Sequence, residues 1–185
     1  MATRQFAKMG QKAKEDLVLR LTKLGEDAMR YAFDRGYASK TRSRGSKKFQ
    51  AGDTQAWTDV SGALRDSFAS AVFVNGVLRK ESVKYIENAP TSKWGRRFVD
   101  DYLNRVHPYK NGIGVIVIAA MPYTKYLEQG THRGGYKIKV VSAARDYIDR
   151  NYWAYVYDVY KRFEIGKSKA RIIKGDIDPY YHAFE

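Results

Sequence analysis

Apolar residues recur at intervals of three or four from Phe6 through Met9, Ala13, Leu17, Leu21, Leu24 and Ala28 to Tyr31. That period puts them on one stripe of a helix over residues 4–33, with Lys8, Lys12, Lys14, Arg20, Lys23 and Asp27 on the solvated side. Gly25 weakens the middle of this helix and Gly36 stops it. So long a stripe must bury itself against a sheet or a neighbouring subunit. A coiled coil is the alternative, but the stripe is thin in large residues. A second helical run spans residues 138–163, with Val140, Ala144, Tyr147, Ile148, Tyr155, Val159 and Phe163 on its apolar side. Ser142 is its N-cap if the helix begins late.

The period changes to that of strands between these helices. Phe68–Val74 and Val77–Glu81 flank Asn75-Gly76, and Asn-Gly between apolar runs predicts a hairpin with a type I′ turn. Gly112–Ala120 is apolar throughout and rich in β-branched residues, which predicts a strand buried on both faces and central in the sheet. Pro122 ends it, and Tyr123–Gln129 forms a short helix closed by Gly130. Pro90 and Pro108 bracket a further amphipathic helix, with Trp94, Phe98, Tyr102 and Val106 spaced by four and Thr91 or Ser92 as its cap. Ser39–Asp53 is polar, basic and glycine-punctuated, a loop. The expected fold is α+β: a small, mostly antiparallel sheet packed with two long helices, plus a helical insertion and an extended C-terminal arm. A single domain covers residues 1–165, with a basic loop at 37–56 and an insertion at 83–111. Residues 166–185 form the arm, polar then aromatic, without periodicity.

Composition narrows the class. The 185 residues carry 44% hydrophobic residues, enough for one core, and no cysteine, which removes disulfides and thiolate chemistry. The start lacks the apolar stretch of a signal peptide, and no run is long enough to span a membrane, so the expectation is a soluble cytoplasmic protein with no membrane partner. Lysine and arginine number 34 against 20 acidic residues, a net charge of +14 that suggests a polyanionic partner. A lysine-rich soluble surface is the plainer alternative. Fifteen tyrosines add an apolar body with a polar tip many times over, a residue type favoured at protein interfaces.

Catalytic candidates fail on spacing. His107, His132 and His182 share no metal-ligand interval, and Gly112-x-Gly114 precedes its strand and lacks a third glycine. Asp100 and Asp101 are adjacent on a helix and diverge by about 100°, so they do not converge on one ion. Glu128 has no partner acid or nucleophile nearby in sequence. The expectation is no enzyme, no catalytic residue, no metal and no cofactor.

Four short motifs in order carry a resemblance. Ser61, Gly62, Leu64, Arg65 and Ser67 form the first; Val72, Val74, Asn75 and Gly76 the second; Tyr123, Tyr126, Glu128, Gly130 and Thr131 the third; a C-terminal helix the fourth. The order resembles the neck and tail-completion proteins of tailed bacteriophages, small subunits that form a ring between head and tail. Where that family places a Pro-Phe-Leu/Met turn before the last helix, this chain has Gly135-Tyr136-Lys137-Ile138. Segments 83–111 and the C-terminal tail stand outside the resemblance.

The resemblance implies a structural virion protein at the head–tail junction, made in the host cytoplasm, in a cyclic ring of six or twelve copies. Its implied partners are other copies of itself, the portal or other neck and tail proteins, and the double-stranded DNA passing through the ring. A sequence-independent nucleic-acid-binding protein is the alternative, and a nuclease a distant third. Candidate contacts to DNA or to a neighbouring subunit are Lys40, Arg42, Arg44, Lys47 and Lys48, five cations in nine residues that suit a phosphate backbone and equally an inter-subunit arm. Candidate assembly residues are Asn75, Tyr123, Tyr126, Glu128, Tyr180, Tyr181 and Phe184.

Overall fold

A computed structural model describes residues 10–36, 63–86, 93–106, 112–122, 124 and 141–163. The elements run α1 (Gln11–Gly36), a single-turn α2 (Ala63–Asp66), β1 (Phe68–Val74), β2 (Val77–Tyr85), α3 (Lys93–Arg105), β3 (Ile113–Ala119) and α4 (Val141–Arg162). The strands form one antiparallel sheet in the order β2-β1-β3. The fold is α+β, as the alternation of periods implies.

The middle of the sheet is β1, not β3. β1 is buried at six of its seven positions, whereas every residue of β3 is only half-buried. Both strands are apolar, so composition alone points to either. The smaller residues of β1 decide it: Ala69, Ser70 and Ala71 let helices approach both faces, and a central strand has no rim to leave exposed. β3, paired in an unbroken register from Phe68↔Ala119 to Val74↔Ile113, keeps its other edge outside the three-stranded sheet.

Helices α1 and α4 cover one face. Ala13, Leu17, Leu21, Leu24 and Ala28 follow the expected stripe, Tyr31 at its end is half-buried, and Val18, Met29 and Ala32 widen it. α4 lies antiparallel to α1: Arg162 reaches Asp16 at 3.2 Å, Tyr155 donates to Asp27 at 2.6 Å, and the Tyr31 and Tyr147 rings stand 5.1 Å apart. Ala143, Ala144, Val156, Val159 and Tyr160 are its buried residues; of the predicted stripe Ala144 and Val159 are among them, Tyr147, Ile148, Tyr155 and Phe163 are half-buried against the core, and Val140 lies outside the described residues. Ser142 lies inside the helix and not at its cap. Gly25 has a packing reason as well as a propensity cost: a Cβ there would stand 2.7 Å from Val115 Cγ2 and 3.0 Å from Ser70 Cβ, so α1 sits on the sheet where no side chain separates them.

The other face is covered by α3. Val99 and Leu103 pack with Ala69, Ala71 and Phe73, while Tyr102 and Val106 border that cluster. The buried line therefore runs one residue past the predicted Phe98–Tyr102 line, and the side chain of Trp94 lies outside the described residues. Segment 83–111 supplies both the end of β2 and this second face. A bulge between Ser70 and Val72 bends β2, and Ser82 Oγ fills the gap, accepting from Val72 N at 2.8 Å and donating to the Arg79 carbonyl at 2.6 Å.

Candidate functional site

The first motif builds a junction at one end of the sheet. Leu64 is buried with Phe68 and Ala28. Ser67 donates its hydroxyl to the Leu64 carbonyl at 2.7 Å, which closes the α2 turn, and its own carbonyl accepts from Ala120 N at 3.1 Å. The turn before β1 is thereby tied to the exit of β3. Ser61 and Gly62 lie outside the described residues. The chain then bends at Pro122, and Thr124, buried, donates its backbone N–H to the Met121 carbonyl at 2.9 Å.

The second motif builds a junction at the opposite end. Asn75 has φ +52° and Gly76 +81°, the positive pair that a type I′ turn demands. Asn75 N donates to the Gly112 carbonyl at 2.7 Å, and Gly112 N donates back to Asn75 Oδ1 at 2.9 Å. One asparagine thus turns the hairpin and clamps the entry of β3. Replacing it with alanine forces a Cβ-bearing residue without that side-chain acceptor into the left-handed region. A loss of about 1–3 kcal/mol is expected in urea unfolding, with glycine at 75 recovering the backbone part alone. Equal loss for both variants would mean that the backbone conformation contributes nothing.

Asn75 is the one candidate assembly residue among the described residues; it is exposed, and its oxygen already serves the fold. Tyr123, Tyr126, Glu128, Tyr180, Tyr181 and Phe184 lie outside the described residues, as do Lys40, Arg42, Arg44, Lys47 and Lys48 and the three histidines. Asp100 accepts from the Tyr85 hydroxyl at 2.7 Å, and burial first, then this acceptor, pushes Tyr85 up to about 12. Among the described residues no group of three or more carboxylate, histidine or cysteine side chains is placed to hold a metal.

Two surface features escaped the sequence reading. Trp153 and Tyr157 stand on the outer side of α4, 38% and 50% exposed, with the Trp153 ring edge-on to Tyr152 and Tyr160 at 5.4 and 5.5 Å. Their i, i+4 spacing off the buried stripe was the available signal. Tyr152 is pushed up by burial and by its hydroxyl pairing with Tyr160. The cations are also unevenly matched. On the α1–α4 layer Lys23 pairs with Asp27 at 2.9 Å, Arg30 with Glu26 at 2.9 Å, Arg162 with Asp16 and Arg145 with Asp146, while Lys12, Arg20, Arg150 and Lys161 meet no carboxylate within ion-pair distance among the described residues. On β2 only Arg79 pairs among the described residues, with Glu81 at 2.7 Å.

No family model, no curated protein and no solved structure matches the chain.

Proposed function

We propose that this chain is a structural subunit of a ring at the head–tail junction of a tailed bacteriophage, one that extends the DNA channel and joins head to tail. The observation that carries this reading is the position of the two strand-linked motifs. The Asn75 turn stands at one end of the β1–β3 ladder, and the chain enters the Tyr123–Thr131 motif from the other end, beside Phe68. A cyclic ring around an axis needs a heterologous contact, in which two different patches of one subunit meet. The Asn75 turn and the exit of β3 at Ala119, separated by the length of a seven-residue ladder, roughly 20 Å, suit that demand. The exposed Trp153 and Tyr157 add aromatic surface of the kind enriched in interfaces.

Size-exclusion chromatography with light scattering, alone and with the portal protein, tests it. A closed oligomer of one defined mass is expected, visible as rings by negative-stain microscopy. Tyr126→Ala and Glu128→Ala should keep the parent's circular dichroism and lower incorporation into particles severalfold. A protein that stays monomeric with the portal present, and particles that incorporate both variants normally, would sink the reading. A monomer that binds DNA tightly would instead favour the sequence-independent nucleic-acid-binding alternative.

A further inference from the structure

One row of α4 reads acid, aromatic, aromatic, base. Asp149, Trp153, Tyr157 and Lys161 follow one another at intervals of four along an unbroken helix, and all four are exposed. Residues four apart line up as a ridge on a helix surface, so the row is one ridge about 18 Å long with opposite charges at its ends. Neither end charge is used within the subunit. Asp149 meets no cation and Lys161 no carboxylate within ion-pair distance among the described residues. The two rings between them stand off the buried side of the helix, yet Trp153 is held edge-on to Tyr152 and Tyr160 at 5.4 and 5.5 Å. A ring already fixed by its neighbours loses little freedom when it is covered. Glu15, Leu19 and Lys23 of α1 have a similar order, but Glu15 accepts from Gln11, Lys23 is bound to Asp27, and a single apolar side chain lies between them.

We infer that the outer ridge of α4, through Asp149, Trp153, Tyr157 and Lys161, docks a second copy of this chain about a two-fold axis, with the two α4 helices antiparallel. The order of the row selects that occupant. Turned end for end it reads base, aromatic, aromatic, acid, the complement of itself. An axis midway between Trp153 and Tyr157 sets Asp149 opposite Lys161 of the second copy and Trp153 opposite its Tyr157, each pair occurring twice by symmetry. The adjoining row agrees: Arg150 and Asp158, both exposed, stand four residues to either side of Ala154 and meet in the same antiparallel arrangement. Ala154, exposed and small, leaves the helices room to approach near the axis. Ridges of residues four apart pack into one another at a crossing angle of about −50°, the commonest way for two helices to meet. The contact is isologous and closes with two subunits, so it is distinct from the heterologous contact of a ring and does not rest on the ring reading. Where a ring forms, this contact joins two rings and doubles the number of copies.

The test is sedimentation equilibrium of the full-length protein over a concentration series at low salt. The parent should reach the mass of two chains. Trp153→Ala/Tyr157→Ala should weaken self-association at least about tenfold, since aromatic anchors carry most of the energy of such contacts. Asp149→Lys and Lys161→Glu each put like charges opposite one another at both ends of the ridge, and each should weaken it about tenfold. The double variant Asp149→Lys/Lys161→Glu exchanges the two charges and should return to within about threefold of the parent. That rescue is not expected of changes that merely disturb α4, and circular dichroism confirms that every variant keeps its helix. A parent that sediments as a monomer at every concentration overturns the inference. So does an aromatic variant that associates like the parent, or an exchanged variant no stronger than the single ones. For a parent with the mass of a ring, variants that halve the mass keep the inference, and variants that leave it unchanged overturn it while the ring reading stands. Dimers that never grow into rings beside the portal keep this inference and end the ring reading.

Discussion

Val72→Lys abolishes cooperative unfolding, whereas Val117→Lys leaves a folded protein with a lowered midpoint. Val72 has no exposed surface, sits in the central strand, and packs in the cluster of Leu17, Leu21, Leu24 and Val156. A lysine there is either charged in an apolar site or neutral with its pKa driven down by several units. At about 1.4 kcal/mol per unit, that costs on the order of 5 kcal/mol, comparable with the whole stability of a small domain. Val117 also packs against the core, but it lies on the half-buried β3, where a four-carbon stem can carry its ammonium to water. A loss of about 1–3 kcal/mol is expected there. The large charge penalty thus belongs to β1 and not to β3, the strand expected to be central. Urea denaturation followed by circular dichroism measures both, and a Val72→Lys protein that melts within a few degrees of the parent would show that β1 is not the centre of the core.

Gly95→Ala is the second large effect. Alanine normally strengthens a helix interior by about 1 kcal/mol relative to glycine. At position 95 its Cβ would stand 2.5 Å from the Ala63 carbonyl oxygen and 2.7 and 2.8 Å from Asp66 Cβ and its carbonyl carbon. Two of these three atoms are backbone, in the turn whose Ser67 ties the sheet end, so the clash is relieved only by moving α3 off α2. Overpacking of this kind costs about 1–3 kcal/mol and more where nothing yields, so a net loss of about 2–3 kcal/mol is expected. Gly25→Ala is the internal control. Its Cβ meets the Val115 and Ser70 side chains, and Val115 is on the half-buried strand, so a net loss of about 1 kcal/mol or less is expected. Chemical denaturation of the two variants side by side checks the order; a Gly95→Ala protein as stable as the parent would mean that α3 does not rest on α2 as closely as these distances state.

The elements were largely legible from local patterns, because each rests on physics that acts within a few residues. The stripe of α1, the helix between Pro90 and Pro108 and the Asn75-Gly76 turn follow from side-chain period, proline's missing donor and the positive φ of that turn. Among the candidate functional residues only Asn75 falls within the described structure, and its pairing with Gly112 across 37 residues had no sequence signal. The tertiary structure alone decided the strand order. Two apolar strands of seven residues have the same local pattern, and which is central depends on what lies on both sides of each. It also decided why Gly25 and Gly95 are glycines, since in each case the reason is a chain segment distant in sequence. The charge excess was readable as a sum, but its location was not. Whether a cation is neutralised depends on which carboxylate the fold brings within reach, as Arg162 is brought to Asp16 across 146 residues.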